Sequence, residues 1–97
     1  MNFGQKLNEV KMYKVVYAES VLKDVGKLSA EVRERIKTKI EWLAENFDMI
    51  KPERLKGELW KDKFKLRVGD YRVIYSVDLE KKIITVHLIG HRSEIYK

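Results

Sequence analysis

The chain has 97 residues, of which 44% are hydrophobic, a formal net charge of +6 and no cysteine. This length supports one small domain with a single core, so two separate active domains are excluded. The lack of cysteine excludes disulfides, thiolate catalysis and Cys-ligated zinc. The positive charge favours a polyanionic partner, either a nucleic acid or an acidic protein.

No apolar run approaches the roughly 18 residues that a membrane-spanning helix needs, so we expect no membrane association. Polar and charged residues between positions 6 and 11 interrupt any apolar stretch that a secretory signal would require. We therefore expect a cytoplasmic protein. The two histidines, His87 and His91, have no carboxylate cluster at metal-ligand spacing, and the sequence predicts no metal site and no cofactor.

Residues 1–11 carry little periodicity, and we expect an N-terminal extension that can be disordered, followed by one domain over 12–97. The first clear element is the run YKVVY, from Tyr13 to Tyr17, whose aromatic and β-branched residues predict a strand. A helix is expected to begin at Glu19 or Ser20, because apolar residues then recur at helical spacing.

A second helix is predicted after Ser29, which is a favourable N-cap, with Glu31 in the first turn where it interacts well with the helix dipole. Its apolar stripe consists of Val32, Ile36, Ile40, Leu43 and Phe47. Charged residues cover the remaining surface of this helix. The two helices are therefore expected to form a hairpin that packs on a sheet.

Pro52 ends the helical pattern, and residues 52–61 are predicted to form a loop with a short edge strand near Leu55 to Trp60. Trp60 is interpreted as a core residue. A partner-binding anchor and a base-stacking platform are the alternatives.

Gly69 and Asp70 separate two runs of alternating character, and a two-residue loop with Gly first predicts an antiparallel hairpin. The register set by this loop places Arg67 opposite Arg72. Residues of one face are apolar and expected in the core: Phe64, Leu66, Val68, Tyr71, Val73 and Tyr75. Residues of the other face, away from the core, are cationic: Lys63, Lys65, Arg67 and Arg72.

The simplest interpretation of this cationic face is a set of long side chains in water. A like-charge cross-strand pair such as Arg67 and Arg72, however, normally costs up to about 1 kcal/mol. An anion on this face would turn the pair into a forked site with planar, bidentate donors suited to phosphate. The pair therefore favours a phosphate site.

The last strand is predicted over KIITVHLI, from Lys82 to Ile89, and its two apolar faces suit a central position. Strict alternation places Val86 and Leu88 on one face and His87 and Ile89 on the other. His87 is interpreted as a packed or hydrogen-bonded residue. The tail GHRSEIYK is expected to fold back towards the strand end. The predicted fold is α+β: a small, mainly antiparallel sheet with a two-helix hairpin on one face, in the order β-α-α-β-β-β.

The segment LKG-x7-KLRVGDYRVIYSVD, the apolar strand after it and the ending GHRSEIY resemble the toxins of the RelE/ParE superfamily from type II toxin–antitoxin pairs. The resemblance covers residues 12–97. The motifs R-x-GDYR-x-IY and GHR-x3-Y are specific in combination. They identify the superfamily more clearly than any one activity within it. The resemblance implies a cognate antitoxin and a hetero-oligomeric toxin–antitoxin complex.

Within the superfamily, the chain most resembles the RelE mRNA interferases, which cut messenger RNA in the ribosomal A site. This resemblance implies a metal-independent endoribonuclease in which the 2′-OH attacks the scissile phosphate. The matching catalytic residues are Lys63 as base or polariser, Lys65 as acid, Arg72 and Arg92 on the phosphate, and Tyr96 stacking on or orienting the nucleotide. The residues expected to contact RNA are Lys61, Arg67 and His91. His91 replaces another cation of the family and has a side chain suited to acid–base chemistry by itself.

Two alternatives remain open. A ParE-like toxin has a similar fold and a GDYR-type hairpin, but it inhibits DNA gyrase without cutting RNA. A homologue that has lost activity would only bind the antitoxin. The presence of both lysines together with Arg72, Arg92 and Tyr96 favours the nuclease.

Overall fold

The computed structural model describes residues 12–95, so the predicted extension and Tyr96 lie outside the described residues. The elements are, in chain order, β1 (Lys14–Tyr17), α1 (Glu19–Gly26), α2 (Ala30–Asn46), β2 (Glu53–Arg54), β3 (Phe64–Val68), β4 (Tyr71–Asp78), β5 (Ile83–His91) and α3 (Arg92–Ile95). Short 3₁₀ turns follow α2 and β2. No helix among these elements is long and apolar enough to cross a bilayer.

The five strands form one sheet in the order β1-β5-β4-β3-β2. Neighbouring strands are antiparallel except β1 and β5, which run parallel. A parallel pair needs a long crossover, and here the connection contains both long helices and the β2–β4 strands. The α+β class with helices packed on one face is confirmed. The parallel pair makes the sheet mixed, which the sequence prediction did not specify.

The helical hairpin forms as predicted. The Ser29 hydroxyl accepts a hydrogen bond from the Val32 amide at 3.2 Å, which satisfies one of the free donors at the start of α2. Its apolar stripe buries Ile36, Ile40 and Leu43 against the sheet. Each fully buried aliphatic side chain contributes about 1.5–3 kcal/mol, so the stripe is the main attachment of α2 to the sheet.

The central hairpin also has the predicted register, with Arg67 opposite Arg72 and Leu66 opposite Val73. Gly69 has a φ of 59°, which fits the first position of the two-residue loop. Leu66 and Val73 are buried in the core, so the apolar face of the hairpin lies against the helices.

The edge strand lies earlier than predicted. It comprises Glu53 and Arg54, whereas residues 58–60 form a 3₁₀ turn. Gly57, with a φ of 100°, turns the chain away from β3 after the pairing ends. Trp60 is half-buried and lies outside the hydrophobic core, so its interpretation as a core residue is wrong. It lines a surface cleft beside Glu53 and Lys65 instead.

Strand β5 contains a bulge that the predicted alternation lacked. Ile74 pairs with Leu88 but Tyr75 pairs with Val86, so His87 is the extra residue. A bulge shifts the side-chain alternation of one strand by one position. As a result Val86 and Ile89 both belong to the core, and the predicted separation of these two residues onto opposite faces is wrong.

Candidate active site

A surface cavity of about 500 Å³ lies where the β3–β4 hairpin meets the start of α3. Its lining residues are Lys65, Arg67, Arg72, His91, Arg92 and Ser93. Five of these were predicted as site residues from the sequence, and no carboxylate is among the lining residues within 12–95. The fold therefore concentrates cations and hydrogen-bond donors in one concave surface, as an anion site requires.

Arg72 is at the base of this cavity and is only 8% exposed. Its Nη1 donates to the carbonyl oxygens of Gly69 at 2.9 Å and Tyr71 at 2.8 Å. The simplest interpretation of the cationic face, long side chains in water, therefore does not hold for Arg72, because its guanidinium is held by these two carbonyls. Arg72 lines the cavity, and no buried side-chain nitrogen of residues 12–95 lacks a hydrogen-bond partner. A planar donor fixed in this way is preorganised for a phosphate.

The Glu53 carboxylate forms ion pairs with two other cationic residues of the cavity. Arg67 donates to its carboxylate through Nε at 3.0 Å and Nη2 at 2.8 Å, and Lys65 Nζ lies 3.3 Å from Glu53 Oε2. This bidentate pair offsets the repulsion between Arg67 and Arg72. Glu53 was not among the site residues predicted from the sequence. The sequence feature that could have indicated it is its position directly after Pro52, where a short edge strand can pair with the cationic strand.

The Glu53 pair should make stability depend on pH. Hydrogen bonds from Arg67 and, to a smaller extent, the interaction with Lys65 lower the pKa of Glu53 from 4.5 to about 2. Partial burial acts in the opposite direction and raises this pKa, but its effect is smaller. Because the pKa of Glu53 is lower in the folded state than in the unfolded state, the ion pair stabilises the fold at pH values above the unfolded-state pKa. This contribution is lost as pH falls from about 5 to 2. Glu53→Gln should thus lower Tm at pH 7 by at most about 4–8 °C, since an exposed pair contributes at most about 1 kcal/mol.

Thermal denaturation at pH 7, 4 and 2 measures this effect, with Glu58→Gln, on the exposed 3₁₀ turn, as the matched control. The gap in Tm between wild type and Glu53→Gln should close at pH 2. A gap that stays constant over this range contradicts the assignment.

The chain after β5 folds back as predicted, at least as far as Ile95. The Arg92 amide donates to the Asp70 carbonyl at 2.8 Å, and Arg92 Nε lies 3.6 Å from the Asp70 carboxylate. Ile95 is buried, and a Cβ on Gly90 would lie only 3.1 Å from its Cδ1. Gly90 therefore provides the room that lets α3 dock beside the cavity.

His91 is oriented by the first turn of α3. The Ser93 amide donates to His91 Nδ1 at 3.1 Å, and the Ser93 hydroxyl lies 2.8 Å from the same nitrogen. The Tyr71 ring packs edge-on, with its centroid 5.5 Å away. Because Nδ1 accepts from an amide, the neutral ring carries its proton on Nε2, which is then a hydrogen-bond donor. Ser93, which the sequence analysis missed, fixes this tautomer.

Lys61 and Lys63 do not line the cavity. Lys61 is exposed beside the 3₁₀ turn, and Lys63 is half-buried one step before β3. Burial and the nearby charge of Lys63 lower the pKa of His87, whose Nε2 lies 2.7 Å from the Ser76 hydroxyl. The interpretation of His87 as a hydrogen-bonded residue is confirmed, and Lys63, directly before β3, is close enough for its charge to act on His87.

Comparison with known proteins gives a consistent picture. The family model described as the ParE toxin of type II toxin-antitoxin system, parDE, matches residues 15–96. The chain is 36% identical over 86 residues to the mRNA interferase toxin RelE of Escherichia coli, and the match covers 87% of this chain and 90% of that protein.

Two solved structures extend the comparison. The archaeal RelE-RelB complex from Pyrococcus horikoshii matches with a TM-score of 0.69 and 26% identity, over 86% of this chain and 98% of that chain. The toxin-antitoxin complex RelBE2 from Mycobacterium tuberculosis matches with a TM-score of 0.74 over 86% of this chain and 94% of that chain, and at 23% identity it shows the shared fold. The chain therefore belongs to the RelE/ParE superfamily of toxins from type II toxin–antitoxin systems.

Proposed function

We propose that this toxin is a ribosome-dependent endoribonuclease that cleaves messenger RNA without a catalytic metal. The observation that carries the proposal is the cavity in which Lys65, Arg72 and Arg92 meet, with no carboxylate lining it in the described part of the chain. The 36% identity to a protein named mRNA interferase toxin RelE supports the same activity. Among residues 12–95, no three His, Asp or Glu side chains form a group that could hold a metal ion.

The reaction needs three roles on one surface. The 2′ oxygen loses its proton and bonds to phosphorus, the bond from phosphorus to the 5′ oxygen breaks, and that leaving oxygen gains a proton. The products are a 2′,3′-cyclic phosphate and a 5′-hydroxyl. Arg72 and Arg92 stabilise the charge that develops on the phosphate oxygens, and Lys65, as an ammonium ion, protonates the leaving oxygen. Lys63 is assigned to the 2′-OH, which it polarises or deprotonates.

His91 and Arg67 occupy supporting positions. With Nδ1 accepting from the Ser93 amide, His91 offers Nε2–H as a donor for a phosphate oxygen. Arg67, tied to Glu53, is assigned to the RNA backbone. Lys61 is assigned to the same backbone further from the scissile bond, since it lies outside the cavity.

Inhibition of DNA gyrase is the second candidate function, because the family model that matches the chain describes a ParE toxin. Two assays with the purified protein separate the candidates: primer extension on messenger RNA in a reconstituted translation system, and supercoiling by gyrase. We expect new 5′ ends in the first assay and unchanged supercoiling in the second. Inhibited supercoiling with intact messenger RNA would overturn the nuclease proposal.

An antitoxin is the proposed protein partner, since solved relatives include RelE-RelB complexes. The toxin–antitoxin assembly is then a hetero-oligomer. An antitoxin that covers the cationic cavity with acidic residues would inhibit the toxin directly, and the positive charge of the cavity favours such a partner. Ribosomes and messenger RNA are the proposed targets of the free toxin, in the cytoplasm.

Tyr96 follows the buried Ile95, and its proposed role is to stack on the nucleotide or to align the 2′-OH. Stacking on an aromatic ring contributes about 1–3 kcal/mol per base. Tyr96→Ala should therefore slow ribosome-dependent cleavage at least about tenfold. Thermal stability and antitoxin binding should change little.

Tyr96→Phe divides the two roles, because retained cleavage indicates stacking and lost cleavage indicates the hydroxyl. Cleavage by Tyr96→Ala at the wild-type rate would show that Tyr96 has no catalytic role.

A further inference from the structure

A second concave surface lies on the other side of the hairpin loop, between helix α2 and the edge of β3. This groove, called the Trp42 groove below, has a volume of about 450 Å³. Its principal lining residues are Arg35, Thr38, Lys39 and Trp42 from α2, and Arg67 and Gly69 from the hairpin. It is separate from the apolar stripe of α2, so core packing does not account for it.

The groove combines an exposed aromatic ring with cations. Trp42 is 39% exposed, although indole rings are usually well buried. The Lys39 ammonium lies 4.1 Å from its ring centroid, a cation–π contact that holds both groups at the surface. Arg35 reaches the hairpin loop, with Nη1 3.9 Å from the position of a Cβ on Gly69. Within the described part of the chain, neither Arg35 nor Lys39 forms an ion pair with a carboxylate.

The groove adjoins the active-site cavity at Arg67, which lines both. Strand β2 covers β3 only at Phe64 and Lys65, so the edge of β3 beyond Lys65 is not paired by β2. The two surfaces thus meet at Arg67, with Lys39, Arg35 and Trp42 in the lining of the groove.

We propose that the Trp42 groove binds the single-stranded RNA that flanks the scissile phosphate. Trp42 stacks on a base, while Arg35 and Lys39 contact the neighbouring phosphates. Exposed aromatic rings between cations are the features with which proteins hold single-stranded RNA, since bases supply flat faces and the backbone supplies charge. An acidic peptide would satisfy the cations but would leave the indole without a matching planar partner. The inference rests on the proposed RNA-cleaving function and extends it to the flanking nucleotides.

The test measures binding of a fluorescent single-stranded RNA that carries a 2′-deoxy nucleotide at the scissile position, so that binding is read without cleavage. Fluorescence anisotropy over a range of salt concentrations gives both affinity and salt dependence. Trp42→Ala should weaken binding at least about fivefold, whereas Trp42→Phe should retain most of it. Lys39→Gln and Arg35→Gln should each reduce the slope of log affinity against log salt by about 0.7, as expected for one lost phosphate contact.

Lys37→Gln is the matched control, because Lys37 is exposed on the same helix but lines a different, apolar cleft. It should leave the salt slope at the wild-type value. Equal effects of Lys37→Gln and Lys39→Gln would overturn the inference. So would variants of the groove that bind RNA as wild type does but lose affinity for the antitoxin.

This readout is independent of cleavage. If the wild type cuts messenger RNA and the groove variants bind RNA normally, the groove assignment fails while the nuclease proposal stands. If the wild type cuts nothing yet the groove variants bind RNA more weakly, the nuclease proposal fails and the groove remains an RNA site.

Discussion

Replacing Arg72 with lysine is expected to slow messenger RNA cleavage at least about a hundredfold while the protein stays folded. Removal of one preorganised donor to a developing oxyanion costs about 10²–10³ in rate. The guanidinium is planar, and it can donate to the Gly69 and Tyr71 carbonyls and to a phosphate at the same time. Lysine retains the positive charge but lacks this planar set of donors. The loss should therefore appear in the cleavage rate more than in the binding of RNA.

The control for this variant is Arg33→Lys on α2, which makes the same change outside the cavity. Both proteins should be compared by Tm and by initial rates of cleavage on ribosomes. Arg72→Ala is a poorer test, because it leaves the Gly69 and Tyr71 carbonyls without their buried donor and destabilises the hairpin. Cleavage by a folded Arg72→Lys protein at the wild-type rate would remove Arg72 from the phosphate site.

Lys65→Gln is expected to reduce cleavage by about 10²–10⁴, the usual contribution of a positioned proton donor. Lys65 lines the cavity with Arg72, and its side chain is 20% exposed. Glutamine keeps the aliphatic part of the side chain and a donor but cannot supply a proton to the leaving 5′ oxygen. RNA binding should change much less than the rate.

A substrate with a better leaving group provides the discriminating measurement for Lys65. A 5′-phosphorothiolate at the scissile bond leaves as a thiolate and needs no acid, so it should restore cleavage by Lys65→Gln to near the wild-type rate on that substrate. Lys23→Gln, on the exposed surface of α1, is the control. Failure of the activated substrate to rescue the variant would contradict a role as general acid.

The hairpin and the cationic cluster were predictable because their signals are local. The loop at Gly69 and Asp70 fixes the register, and period-two alternation then places Arg67 opposite Arg72. The Ser29 cap and the stripe of α2 are local in the same sense. The assignment of catalytic roles, by contrast, came from the family resemblance, because charge and spacing alone indicate only an anion site.

The features that the sequence did not predict depend on contacts between distant residues. The bulge at His87 lies in a strand that is apolar on both faces, where a shift of one residue leaves no break in the pattern. The ion pair between Glu53 and Arg67 connects a two-residue strand to a residue of β3 that lies fourteen positions later in the sequence. Burial of Arg72 follows from the Gly69 and Tyr71 carbonyls that accept from its guanidinium, and a strand pattern does not specify these contacts.

The dependence of cleavage on the 2′-OH tests the central claim most directly. Two messenger RNAs that differ only by a 2′-deoxy nucleotide at the scissile position should be incubated with ribosomes and the purified toxin. We predict that the all-ribose message is cut to a 2′,3′-cyclic phosphate and a 5′-hydroxyl, and that the deoxy message stays intact at that position. Cleavage of the deoxy message at the same rate, or 5′-phosphate ends from either message, would contradict attack by the 2′-OH.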